Sequence, residues 1–152
     1  MGFFRTELFN QVIRSEKAEQ LDIDNSKMSL ATSLNIRSLI RNVLVPVREK
    51  FENTQITSGY RSPKLNSVIG GVAVSQHIKG EALDLVNAKR SNKELFLFIK
   101  ENLKFDQLIW EFGDDKNPEW VHVSYKRNGN NRNMILRSAK LNNKTCYTTW
   151  KG

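Results

Sequence analysis

From Ile36 the apolar residues fall at Ile36, Leu39, Ile40, Val43, Leu44 and Val47, a stripe with the period of an α-helix. Beyond Gln55 the apolar runs shorten to strand length. That change of period confines the chain to helices first and a sheet afterwards. Pro46 should kink or end the long helix near its last turn, and an earlier helix is expected from Thr6 to about Gln20. The stretch QITSGY reads as a short strand leaving at Ser58 and Gly59. A brief helix follows, with Ser62 as N-cap, Pro63 in first position and Gly70-Gly71 closing it. ALDLV, QLIWEF, WVHVSY and MILRS read as strands. SNKELFLFIKENL reads as a helix opened by a capping box of Ser91 and Glu94. The expected class is α+β, with N-terminal helices packed on a small, mainly antiparallel sheet.

A length of 152 residues suits one domain, 1–152, with one core. Hydrophobic content of 39% and charged content of 26% are those of a globular chain, not a disordered or collagenous one. Cys146 stands alone, so no internal disulfide is expected, which fits synthesis in a reducing cytoplasm. No stretch approaches the roughly 18 apolar residues of a membrane helix, and charges interrupt the N-terminus too often for a secretory h-region. Of the net charge of +8, all but one unit falls on residues 126–152, which carry basic residues and no acid. Such a segment should attract a polyanion, whether nucleic acid, lipid or an acidic wall polymer.

The chain has only two histidines, His77 and His122, each near a carboxylate. His77 lies in the polar loop of SQHIKGEALDL, and Gly80 lets the backbone turn before the strand. Alternation along Ala82 to Val86 puts Asp84 on the face of the small Ala82, with Leu83 and Leu85 turned to the core. An aspartate in an apolar strand is costly unless paired or bound to a cation. In WVHVSY, Val121 and Val123 share one face, while Trp120, His122 and Ser124 share the other. Two imidazoles and one carboxylate with a position left for water form the pattern of a catalytic zinc site, so His77, Asp84 and His122 are the candidate ligands. Glu119, three residues before His122, follows the turn-forming DDKNP and could swing over the metal's open side to move a proton. Arg61 could hold a carboxylate or a developing oxyanion, or could be a surface arginine in a turn. Ser75 could bond substrate or cap the loop, and Trp120 could line a groove. Trp110 reads as core, and Glu111 receives no catalytic role.

TSGYRSPKLNSVIGGVAVSQHIKGEALDL and EWVHVSY together closely resemble the zinc D-alanyl-D-alanine carboxypeptidase-like peptidases of bacterial peptidoglycan. The arginine segment, the S-x-H-x-x-G-x-A-x-D element and the acid-x-x-His element stand in order between about Thr57 and Tyr125. The resemblance implies Zn2+ held by His77, Asp84 and His122, with Glu119 as general base and then acid. Arg61 would steady the oxyanion or grip substrate, with Ser75 assisting. It implies the small α+β fold shared with the Hedgehog signalling domain, and a peptidoglycan stem peptide as substrate. Activities in the family divide among D,D-carboxypeptidases, D,D-dipeptidases and L-alanyl-D-glutamate endopeptidases, the last including phage endolysins. A lone catalytic domain with a basic end suits a phage or prophage lysin, monomeric, made in the host cytoplasm and acting on the wall after release. The competing expectations are a bacterial D,D-carboxypeptidase or autolysin, and a basic binding module without catalysis. No basic helix with interleaved aromatics is present to read a nucleic-acid sequence.

Overall fold

The computed structural model describes residues 2–152. The chain opens with helix α1 (Gly2–Ile13) and a short helix α2 (Glu16–Gln20). The single helix expected from Thr6 to Gln20 is thus divided. Ser15 causes the break, because its hydroxyl accepts from the Ala18 N–H and starts a new helix. Helix α3 (Leu30–Leu39) runs through a π-helical turn (Ile40–Leu44) into α4 (Val45–Lys50). Pro46 therefore lies inside helical backbone and does not end it. The turn before it has shifted to five-residue bonds, with Val45 N–H donating to Ile40 O, and the wider register accommodates a residue without an N–H.

Strand β1 (Thr54–Ser58) leads to α5 (Pro63–Val68), where Ser62 accepts from Leu65 N–H as the expected cap. Strand β2 (Ala82–Asn87) and helix α6 (Asn92–Asn102) follow, and both bonds of the Ser91–Glu94 capping box are present. Strands β3 (Gln107–Glu111), β4 (Trp120–Ser124), β5 (Met134–Leu141) and β6 (Lys144–Thr149) complete one six-stranded sheet, in the order β1-β2-β4-β3-β5-β6. All neighbours are antiparallel except β3 and β5. The class is α+β, as the change of hydrophobic period requires. Strand β6 was not expected. The basic segment is therefore no loose tail, since 134–149 forms a hairpin turned by Asn142 and Asn143, both at positive φ.

Alternation sorts the two faces of the sheet. Leu83 and Leu85 of β2, Val121 and Val123 of β4, and Leu108 and Trp110 of β3 are buried in the core. They pack against Ile36, Leu39 and Val43 from the long helix and Leu95, Phe96 and Ile99 from α6. The opposite face carries Asp84, which pairs with His122 across β2 and β4, then Ile109 and Leu136 along the same row. One rung away lie Trp120, Glu111 and Ser138, with Tyr147 opposite Ser138 on β6. The apolar face fixes the register, and the register puts the chemistry on the other side.

Candidate metal centre

Three side chains from distant parts of the chain converge on the helix-free face. His122 Nδ1 lies 2.9 Å from Asp84 Oδ1, and His77 Nε2 lies 3.4 Å from Asp84 Oδ2. One nitrogen or oxygen from each of His77, Asp84 and His122 falls within 4.8 Å of the others. The other nitrogen of His77, Nδ1, is 2.8 Å from Gly59 O. A carbonyl oxygen only accepts, so Nδ1 carries the proton and Nε2 faces the cluster with its lone pair. That is the orienting bond expected behind a metal-bound histidine. His77 and Asp84 are buried, and the His122 side chain keeps 12% of its surface exposed.

Burial alone would raise the Asp84 pKa, but its close approach to the His122 and His77 rings outweighs it and holds the carboxyl well below the usual range. Asp84 is thus an anion under cover, and Arg61 Nη2 at 3.5 Å supplies the only full positive charge paired with it among the described residues. Two neutral imidazole nitrogens and an ionised carboxylate oxygen at this spacing fit a divalent ion such as zinc.

Two buried polar anchors hold the site open. Asn25 Nδ2 donates to Ile13 O and Tyr60 O, and its Oδ1 accepts from Ser62 N–H at 2.7 Å, pinning the turn that carries Arg61. Arg61 Nε donates to Ser58 Oγ, and its backbone N–H donates to His77 O. The second anchor is Asp106, which is fully buried. It accepts from Arg132 Nε and Nη2 at 2.9 and 2.6 Å and from Gln76 Nε2 at 3.0 Å, and Lys126 Nζ sits 3.2 Å away. Through Gln76 this carboxylate fixes the residue next to His77. Neither anchor was singled out from the sequence, where an asparagine and an aspartate in loops look like turn residues.

An open pocket of about 810 Å³ lies over the three candidate ligands. Arg61, Ser75 and Trp120 line it. Ser75 also serves its loop, since its hydroxyl accepts from His77 N–H at 3.3 Å. Glu119, expected over the metal's open side, is exposed and borders a depression that shares Phe112 and Trp120 with the metal pocket. As the turn-forming DDKNP suggests, Glu119 sits in a bend just off β4, with its backbone N–H donating to Glu111 O. Glu111, given no role from sequence, and Tyr147 also border the metal pocket.

An α+β sheet carrying two histidines and an aspartate on the floor of an open pocket defines a candidate hydrolytic metal centre. A Peptidase M15 family model matches residues 9–124, a span that includes every one of these elements up to the end of β4, and the chain belongs to that metallopeptidase family. No curated protein matches the sequence. Among the described residues no helix is long and apolar enough to cross a membrane.

Proposed function

We propose that this chain is a zinc peptidase that hydrolyses peptide bonds in the stem peptides of bacterial peptidoglycan, acting as a phage or prophage lysin. The observation that carries the proposal is the convergence of His77, Asp84 and His122 beneath an open pocket, in a chain of the Peptidase M15 family. Zinc held by these three residues would supply Lewis acidity toward a carbonyl oxygen and a water molecule. The chain's own groups supply the rest. His77 is fixed in one tautomer by Gly59 O, so its ligating nitrogen needs no reorganisation. Arg61, half-buried and already oriented by Ser58, offers N–H donors to a substrate carboxylate or to the oxygen that becomes negative during attack. Trp120, tilted against Phe112 with ring centroids 5.2 Å apart, gives the pocket a rigid apolar wall for a stem-peptide side chain.

Purified peptidoglycan incubated with the protein should gain free amino groups, and a chelator should stop the gain until zinc is restored. Mass spectrometry of the products would separate endopeptidase from carboxypeptidase cleavage. Release unaffected by chelation would reject the metal reading. The alternative of a basic binding module is disfavoured by the use of Lys126, Arg132 and Arg137 in ion pairs within the fold.

A further inference from the structure

We propose that the outer face of α3 and the arginine groove beside it form a docking surface for an anionic phospholipid membrane. The surface lies apart from the metal pocket, and the inference does not depend on the peptidase reading. A groove of about 630 Å³ on the helical side of the molecule gathers Arg5 from α1, Arg37 and Arg41 from the long helix, and Arg127 from the loop after β4. Glu49 is the one carboxylate that lines it, so the groove carries a surplus of three positive charges. None of the four arginines forms a salt bridge among the described residues, whereas Lys126, Arg132 and Arg137 are consumed by ion pairs within the fold.

Two of the four are oriented before any ligand arrives. The Arg37 guanidinium stands 5.2 Å from the centre of the Phe9 ring. Arg127 Nε donates to Asn35 Oδ1 at 3.2 Å, and Asn35 is itself anchored by its Nδ2, which donates to Lys79 O at 3.0 Å. That leaves the terminal N–H donors of both for phosphate oxygens, which the planar guanidinium fork matches.

Two leucines decide the kind of anion. Leu30 and Leu34 are exposed, at 76% and 39% of their surface. At about 100° per residue, Leu30, Leu34, Arg37 and Arg41 fall on one stripe of the helix, turned away from the buried Ile36 and Leu39. A soluble polyanion gains nothing from bare leucines next to the cations. A bilayer supplies phosphate at the headgroups and hydrocarbon just beneath them, so it satisfies both halves of the stripe. The helices cover one face of the sheet and the metal pocket opens on the other. Attachment by this surface therefore turns the pocket away from the lipid and leaves it free for substrate.

The test is co-sedimentation of the full chain, at physiological salt, with vesicles of phosphatidylglycerol and phosphatidylcholine in equal parts and with phosphatidylcholine alone. Wild type should partition onto the anionic vesicles at least about tenfold more strongly. Arg37→Gln with Arg41→Gln should lower that partition by about tenfold or more. Leu30→Ser with Leu34→Ser should lower it by about fivefold or more. Lys144→Gln with Lys151→Gln removes the same charge from the β6 end of the chain and should stay within about threefold of wild type. Should the arginine pair fail to fold, Arg127→Gln alone should lower the partition by about fivefold. The proposal is overturned if wild type ignores the anionic vesicles, or if the lysine pair loses as much as the arginine pair. It is overturned equally if the leucine pair binds as wild type does, which would leave only a site for a soluble polyanion.

Discussion

Asp106 and Asn25 show how single buried polar residues hold this site in shape. Asp106 has no exposed surface yet stays ionised, because hydrogen bonds from Arg132, Lys126 and Gln76 overcome the burial that would raise its pKa. Its pKa is lower in the folded state than in the unfolded one. The stability it contributes is therefore present above the unfolded value of about 4 and is lost as pH falls through the folded value. Acid unfolding of the wild type should show this loss below about pH 4, and the Asp106→Asn variant should lack that component. The same variant should be less stable at neutral pH by about 1–3 kcal/mol in urea denaturation, because the charge-assisted hydrogen bonds from Arg132 and Lys126 are weakened while both cations keep access to solvent. Asn25→Ala should cost roughly 1–3 kcal/mol by the same method, since it leaves the Ser62 N–H and two carbonyls unpaired. It should also weaken substrate binding, because the turn carrying Arg61 is then released.

Asp84 was legible in the sequence because a charge amid ALDLV is conspicuous once alternation is applied. Asp106 was not, because its partners Arg132 and Gln76 lie 26 and 30 residues away. The place of Glu111 on the pocket face, opposite Trp120, was hidden for a related reason: it depends on the register between β3 and β4, which no local pattern states. The position of Glu119 off the strand was legible because DDKNP does form a turn, with Asp114 accepting from Lys116 and Asn117 N–H, and β4 begins only at Trp120.

At the scale of elements, the site depends on how closely β1 approaches the first helix. Gly59 follows β1, and a Cβ there would lie 2.1 Å from Val12 O, a backbone atom that already accepts from Tyr60 N–H. Gly59→Ala should push the strand exit off α1 and displace both the carbonyl that orients His77 and the adjoining Arg61. A drop in melting temperature of several degrees, together with weaker zinc retention, is the expected result; unchanged zinc retention would detach the metal site from this contact. Helix α6 and the Ser62 cap were readable because their signals are local. Strand β6 was not, since every residue of Lys144–Thr149 is exposed and its polar sequence has no alternation to read.

At the scale of the molecule, that exposed strand closes the fold. Trp150, just after β6, packs at 5.2 Å from Phe96 and stacks at 6.4 Å on Trp110, and its N–H donates to Ile135 O. Cutting the chain after Leu141 should uncover Trp110 and remove Tyr147 from the pocket edge. A large loss of melting temperature and a red shift of tryptophan emission are expected. The basic surplus of residues 126–152 is also partly internal, because Lys126 and Arg132 neutralise Asp106 and Arg137 pairs with Asp115.

The central claim is that His77, Asp84 and His122 share one divalent ion. X-ray absorption at the zinc edge, on the full chain dialysed against zinc, tests it most directly. The account predicts one zinc per chain, with two imidazole nitrogens and a carboxylate oxygen among its ligands, lost in Asp84→Ala. Zinc bound in less than half the chains, or a spectrum unchanged in Asp84→Ala, would contradict it.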